Sequence, residues 1–198
     1  MLKTITAGLL ALCAAMTPAH AADIGVNKFK DSENSFVYIW GTIEEGDGKK
    51  FADLVANNVT VKAVLLDSPG GSFEDGMVIA KLVHERKFYT SVRQDWVCMS
   101  MCAIIWVAGS DRYYGGKTKI GFHSMSTSWE VNQGKGKKGI KREAYNAGNA
   151  LVGAFYNQLG LNDAAIIALT NANYDSMFYL NTKRLEELGI KATLSNAS

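Results

Sequence analysis

Several features that would quickly place a chain are scarce or missing here. Proline occurs twice, as Pro18 and Pro69, and no segment is repeated. There are three cysteines and three histidines, and none is spaced to complete a metal-ligand set, which argues against a metal site. An excess of one charge is also missing. Lys and Arg number 21 against 19 Asp and Glu, so the balance points to neither nucleic acid nor an acidic membrane surface as a partner. Beyond residues 5–16 no run is long and apolar enough to span a bilayer, and that run is itself too short.

What is present at the start reads as a secretory leader. Lys3 supplies the positive end, residues 5–16 the apolar segment, and Ala19-His20-Ala21 a small-x-small cleavage site. Residues 1–21 are therefore expected to be a signal peptide cleaved near Ala21. Residues 22–198 are then a single domain, since the 177 residues that remain (198 minus 21) suit one sizeable core better than two. A periplasmic or secreted location follows, and it places Cys98 and Cys102 where thiols are readily oxidised. If both lay in one regular helix, their Cβ atoms would be about 5–6 Å apart, and a disulfide needs about 4 Å. A disulfide becomes feasible if Cys98 precedes the helix, and buried free thiols are the alternative.

Apolar periodicity organises the rest. Residues 36–40 read as a strand, and residues 46–58 as a helix with Phe51, Leu54 and Val55 inward. A buried strand is expected over residues 61–66, a helix over 72–87 carrying Met77, Ile79, Ala80 and Val83, and a short strand over 90–93. Strands alternating with helices predict an α/β fold, a mostly parallel sheet with flanking helices. Residues 101–108 are apolar on every side and predict a central buried helix. Residues 124–139 show no periodicity, and the basic cluster Lys135, Lys137, Lys138, Lys141 and Arg142 reads as a solvated, glycine-bearing loop. Helical spacing returns over 140–159, Asn162 caps a helix over 163–169, and a strand at 177–180 and a helix at 182–188 close the domain.

Three motifs carry chemistry. Ser68-Pro69-Gly70-Gly71 ends the 61–66 strand, and paired glycines there can bring backbone N–H groups close to a ligand. Ser100, within Cys98-Met99-Ser100-Met101-Cys102-Ala103, sits at the start of the buried helix. There the Met101 N–H has no partner within the helix and can point at an oxyanion. His123 ends the strand Ile120-Gly121-Phe122 and is a candidate base. Alone, Ser100 would be an ordinary helix N-cap and the glycines a tight turn.

In this order and spacing the motifs resemble the proteolytic subunit of Clp proteases, within the Clp/crotonase superfamily, over roughly residues 36–190. The resemblance implies a serine peptidase of Clp/crotonase-like fold in which Ser100 is the nucleophile and His123 the base. Gly70, Gly71 and Met101 would form the oxyanion hole. It places the third triad member at Asp175, about two residues out of register, with Asn171 and Asn173 as substitutes. It also implies a peptide or protein substrate, a homo-oligomer, and no need for a metal or nucleotide cofactor. A Clp-type ATPase partner is not expected, because the periplasm offers no ATP. Exported relatives that pair serine with lysine keep Lys138 and Lys141 open as an alternative base. A non-catalytic binding or assembly module on the same fold is the alternative from another class, and an acyl-CoA-handling homologue ranks third.

Overall fold

In the segment Ser-Phe-Val-Tyr-Ile-Trp, Ser35, Val37 and Ile39 are buried while the residues between them face outward, which is the signature of a strand with one face on a core. The computed structural model describes residues 21–134 and 136–195. The predicted leader therefore lies outside the described residues, apart from Ala21, which bridges to Thr42.

The chain begins with β1 (Asp23–Lys28) and β2 (Ser35–Trp40), then runs through α1 (Asp47–Asn57), β3 (Val61–Asp67), α2 (Phe73–Glu85) and β4 (Tyr89–Val92). Next come β5 (Val97–Met99), α3 (Met101–Val107), β6 (Arg112–Tyr114) and β7 (Lys119–Phe122). A hairpin follows, β8 (Ser126–Asn132) and β9 (Lys138–Ala144), and then α4 (Asn146–Gln158) and α5 (Asp163–Thr170). The chain closes with β10 (Phe178–Leu180), α6 (Thr182–Glu187) and β11 (Thr193–Leu194).

A six-stranded sheet has the order β1-β2-β3-β4-β6-β11. It is parallel throughout except for β1, which pairs antiparallel with β2. A second sheet, β10-β7-β5, pairs β5 with β7 in parallel and β10 with β7 antiparallel. The mostly parallel α/β architecture expected from the alternation is what the chain adopts.

All seven residues of α3 are buried, which explains why its sequence has no polar stripe. Burying side chains such as Ile104, Ile105 and Trp106 contributes about 1.5–3 kcal/mol each. The polar atoms carried inward with them are satisfied: Trp106 Nε1 donates to the Tyr113 carbonyl at 3.0 Å, and Thr90 Oγ1 donates to the Trp106 carbonyl at 2.7 Å.

One expectation is corrected. Residues 124–139 are not a loop, and the helix expected from residue 140 begins at Asn146. Instead β8 and β9 form an antiparallel ribbon from Ser126↔Ala144 to Asn132↔Lys138 that joins neither sheet. Without a core to face, the ribbon had no apolar alternation to betray it. Gly134 and Gly136, both at positive φ, make its turn.

Candidate active site

Three strand ends meet at one edge of the molecule. β5 lies parallel to β7, with Cys98 opposite Ile120 and Met99 opposite Gly121. The chain leaving β3 bridges Ser68 to Cys98, with Ser68 N donating to Val97 O at 2.8 Å and Met99 N donating to Ser68 O at 3.0 Å. Parallel strands release their following loops on the same side, where ligands bind in open α/β sheets. Gly70 and Gly71, Ser100, and His123 each follow one of these three ends.

Ser100 adopts φ 56 and ψ −126, a conformation a non-glycine residue rarely takes. Its backbone is held there from several sides. Its N–H donates to Gly121 O at 2.8 Å, its carbonyl accepts from Ala103 N at 3.0 Å, and a Cys98–Cys102 disulfide with Cα atoms 5.1 Å apart spans it. Cys98 lies on β5 and only Cys102 lies on α3, which lets the sulfurs meet despite the four-residue spacing. Although Ser100 occupies the N-cap position of α3, its hydroxyl makes no capping bond. Ser100 instead lines a cavity of about 530 Å³ that His123 also lines. Strain of this kind is retained where the surroundings over-determine it, commonly at reactive groups.

The three expected oxyanion donors are not equivalent. The Gly70 N–H donates to the buried Ser68 Oγ at 3.0 Å, so it is not free to meet a ligand. Gly71 N–H and Met101 N–H have no hydrogen-bond partner among the described residues. Gly70 and Gly71, at φ 96 and 142, are closely hemmed. A Cβ on Gly70 would come within 2.7 Å of Ser100 Cβ and 2.9 Å of Met101 N, and one on Gly71 would overlap the Ile43 carbonyl. Glycine is what lets this loop press against the Ser100 turn.

His123 is half-buried, and its Nδ1 lies 2.7 Å from the Ser124 carbonyl oxygen. With the proton on Nδ1 donated to that carbonyl, Nε2 keeps its lone pair for a proton from elsewhere. Ser124 is itself fixed, its N–H donating to Ala172 O at 2.8 Å. Asp175 does not orient the ring in this structure. It is exposed in the turn before β10 and makes no hydrogen bond to His123, whose Nδ1 is already taken. Asn171 and Asn173 are exposed as well.

The lysines do not complete a Ser-Lys pair. Lys138 is exposed and ion-paired with Glu130 at 2.9 Å, and Lys141, three residues further along the ribbon, is also exposed. Neither lines the cavity, whereas Arg142 does. Among the described residues no group of three or more His, Cys, Asp and Glu is placed to hold a metal ion, and no helix is long and apolar enough to cross a membrane.

Sequence reasoning missed the Ser68 hydroxyl, the Ser124 carbonyl and Arg142. A backbone carbonyl leaves no mark on sequence. Arg142 was hidden because a basic, glycine-rich stretch reads as a solvated loop.

No known family profile matches the sequence, and no curated protein does. Solved structures do match in shape. The 1510-N membrane-bound stomatin-specific protease, as a serine-to-alanine mutant, superposes with a TM-score of 0.60 at 17% identity, covering 81% of this chain and 78% of that one. The ClpP protease catalytic domain from Plasmodium falciparum gives 0.53 at 15% identity, over 81% of this chain and 86% of that one. A lysine-to-alanine mutant of the stomatin-specific protease in complex with a substrate peptide gives 0.52 at 16% identity, over 76% of this chain and 69% of that one. At these identities the likeness concerns architecture, and the conclusion it licenses is that this chain has the fold of the Clp-like proteases.

Proposed function

We propose that the protein is a serine hydrolase, a peptidase that needs neither metal nor nucleotide. One observation carries this reading. Ser100 is held at a strained backbone conformation with its hydroxyl uncommitted, on the wall of the cavity that also holds His123.

In the proposed reaction Ser100 Oγ attacks the scissile carbonyl carbon as its proton passes to His123 Nε2. The developing oxyanion is met by the Gly71 and Met101 N–H groups, each of which contributes about 2.7–4 kcal/mol by analogy with single oxyanion donors. Collapse breaks the C–N bond, and the leaving amine takes the proton from His123. A water molecule then attacks the acyl-Ser100 ester, gives its proton to His123, and the acid is released with Ser100 reprotonated. The Ser124 carbonyl holds the imidazole in one tautomer throughout. This assigns to a backbone oxygen the orienting part that the sequence suggested for Asp175. A carbonyl stabilises the imidazolium less than a carboxylate, so a modest rate is expected.

Export to a periplasmic or secreted location is part of the proposal, and the Cys98–Cys102 bond supports it, since such bonds persist in oxidising compartments. Self-association and independence from an unfolding ATPase are carried over from the Clp resemblance. Labelling of the mature protein by a serine-directed fluorophosphonate tests the chemistry. It should modify Ser100 alone and be lost in Ser100→Ala. A second reading, a binding module without catalysis, draws on the lack of a hydrogen bond between Ser100 and His123. A folded protein that the probe leaves unlabelled would establish it instead.

A further inference from the structure

The basic cluster of the ribbon is not uniform once its register is known. Ser128 pairs with Arg142 and Ser126 with Ala144, and alternate positions share a face, so Ser126, Ser128 and Arg142 lie together, and all three line the cavity. Lys138 shares that face but is bound to Glu130 at 2.9 Å. Lys141, one residue out of phase, belongs to the opposite face with Trp129. Of the described lysines and arginines, Arg142 alone lines the cavity.

Its guanidinium is aimed but not neutralised. Nη2 donates to Ser126 Oγ at 3.0 Å, and Cζ lies 5.8 Å from the centre of the Tyr174 ring. Among the described residues no carboxylate forms an ion pair with it. An arginine has five N–H donors in a planar fork, so most remain for a ligand. The cavity is also lined by Glu74, in the first turn of α2, and Glu74 forms no ion pair with Arg142. The site thus presents a positive wall on the ribbon and a negative one beside the Gly71 loop.

We propose that Arg142 is a carboxylate-binding subsite. The preferred substrate would carry an acidic group on the ribbon side of the bond that Ser100 attacks. That group is either an Asp or Glu side chain or the C-terminal carboxylate of the peptide. The inference rests on reading the cavity as a peptidase site. Planar bidentate pairing between guanidinium and carboxylate is stronger and more directional than a lysine contact, and the Ser126 and Tyr174 contacts hold the fork ready for it.

The test uses the mature protein and a peptide library in which each position around the cleaved bond carries Glu, Gln or Lys, with free or amidated C-termini. The wild type should cleave one acidic series at least about tenfold faster in kcat/KM than its neutral twin, the worth of one good charge-assisted bond. If the Glu series is preferred, the group is a side chain; if only the free C-terminus matters, it is the terminal carboxylate. Arg142→Gln should remove the preference, Arg142→Lys should restore part of it, and Arg142→Glu should invert it toward Lys-bearing peptides. Inversion is a gain that misfolding cannot produce. Cleavage with equal rates for acidic and neutral twins would overturn the subsite while leaving the peptidase reading intact. If no peptide is cleaved, binding of the same peptides by fluorescence anisotropy still decides the subsite: affinity that requires both the carboxylate and Arg142 supports it, and its absence overturns it.

Discussion

The carbonyl oxygen of Ser124 accepts the Nδ1 proton of His123 at 2.7 Å, and Ser124 is pinned in turn to Ala172. The orienting partner of the ring is therefore its own chain neighbour. Asp175→Ala should leave kcat/KM and fluorophosphonate labelling essentially unchanged. His123→Ala should remove most of both, by the factor of about 10²–10⁴ that a general base supplies. A large loss in Asp175→Ala, with circular dichroism unaltered, would show that the aspartate moves onto the ring when substrate binds.

The lysine alternative makes the opposite demand. Lys138 is exposed and engaged with Glu130, and neither it nor Lys141 lines the cavity. Lys138→Ala and Lys141→Ala should each retain labelling at Ser100. If either abolishes it while His123→Ala does not, the base is a lysine.

Ser68 connects stability to the oxyanion loop. Its side chain is fully buried and accepts the Gly70 N–H at 3.0 Å. Ser68→Ala leaves that N–H without a partner, at a cost of about 1–3 kcal/mol, measurable as a lower denaturant midpoint at unchanged slope. The same variant should label more slowly, because the turn carrying the Gly71 N–H loosens. A variant as stable and as reactive as the parent would remove Ser68 from both roles.

How much of this was legible beforehand depends on whether a residue faced the core. α1, β3, α2 and α3 declared themselves because Phe51, Val64, Ile79 and Ile105 belong to one buried cluster, and burial imposes a period on sequence. The ribbon had no such cluster to satisfy, and only its register shows that Arg142 faces the cavity. Ser100, Gly71, Met101 and His123 were legible through order and spacing in a recognisable motif series. The His123–Ser124 bond was not, since a main-chain acceptor is indifferent to the side chain that bears it. β5 and β6, three residues each, are too short to show a pattern.

Asp75 ties the start of α1 to the start of α2. Its Oδ1 accepts from Gly46 N at 3.0 Å and Gly48 N at 2.9 Å, and its Oδ2 accepts from Ser72 Oγ at 2.7 Å. Burial alone would raise its pKa, but the bonds from the Ser72 hydroxyl and from the Gly48, Gly46 and Asp75 N–H groups together hold it below the ordinary 3.8. A carboxyl depressed in the folded state stabilises fully above its unfolded value, and that contribution is lost as pH falls through the folded value. The thermal midpoint should therefore decline with acid below pH 3.8. Asp75→Asn should melt lower at neutral pH and decline less steeply in acid. Parallel pH profiles for the two proteins would exclude Asp75 as a source of the acid sensitivity.

The Cys98–Cys102 bond encloses Ser100 and joins strand β5 to the first turn of α3. A loop this short removes little entropy from the unfolded chain, so the bond should matter more for local geometry than for global stability. What it constrains is the segment carrying both the Ser100 hydroxyl and the Met101 N–H, a placement that tolerates errors of only about 0.5 Å before function suffers. Reduction, or replacement of both cysteines by serine, should therefore lower kcat/KM and slow fluorophosphonate labelling, while the far-UV spectrum and oligomeric state stay as they were. Mass analysis after thiol alkylation reports the redox state of the sample in each assay. Full activity in protein shown to carry two alkylated cysteines would reduce the pair to packing residues. Loss of activity reversed by reoxidation would tie the Ser100 geometry to the redox state of its surroundings.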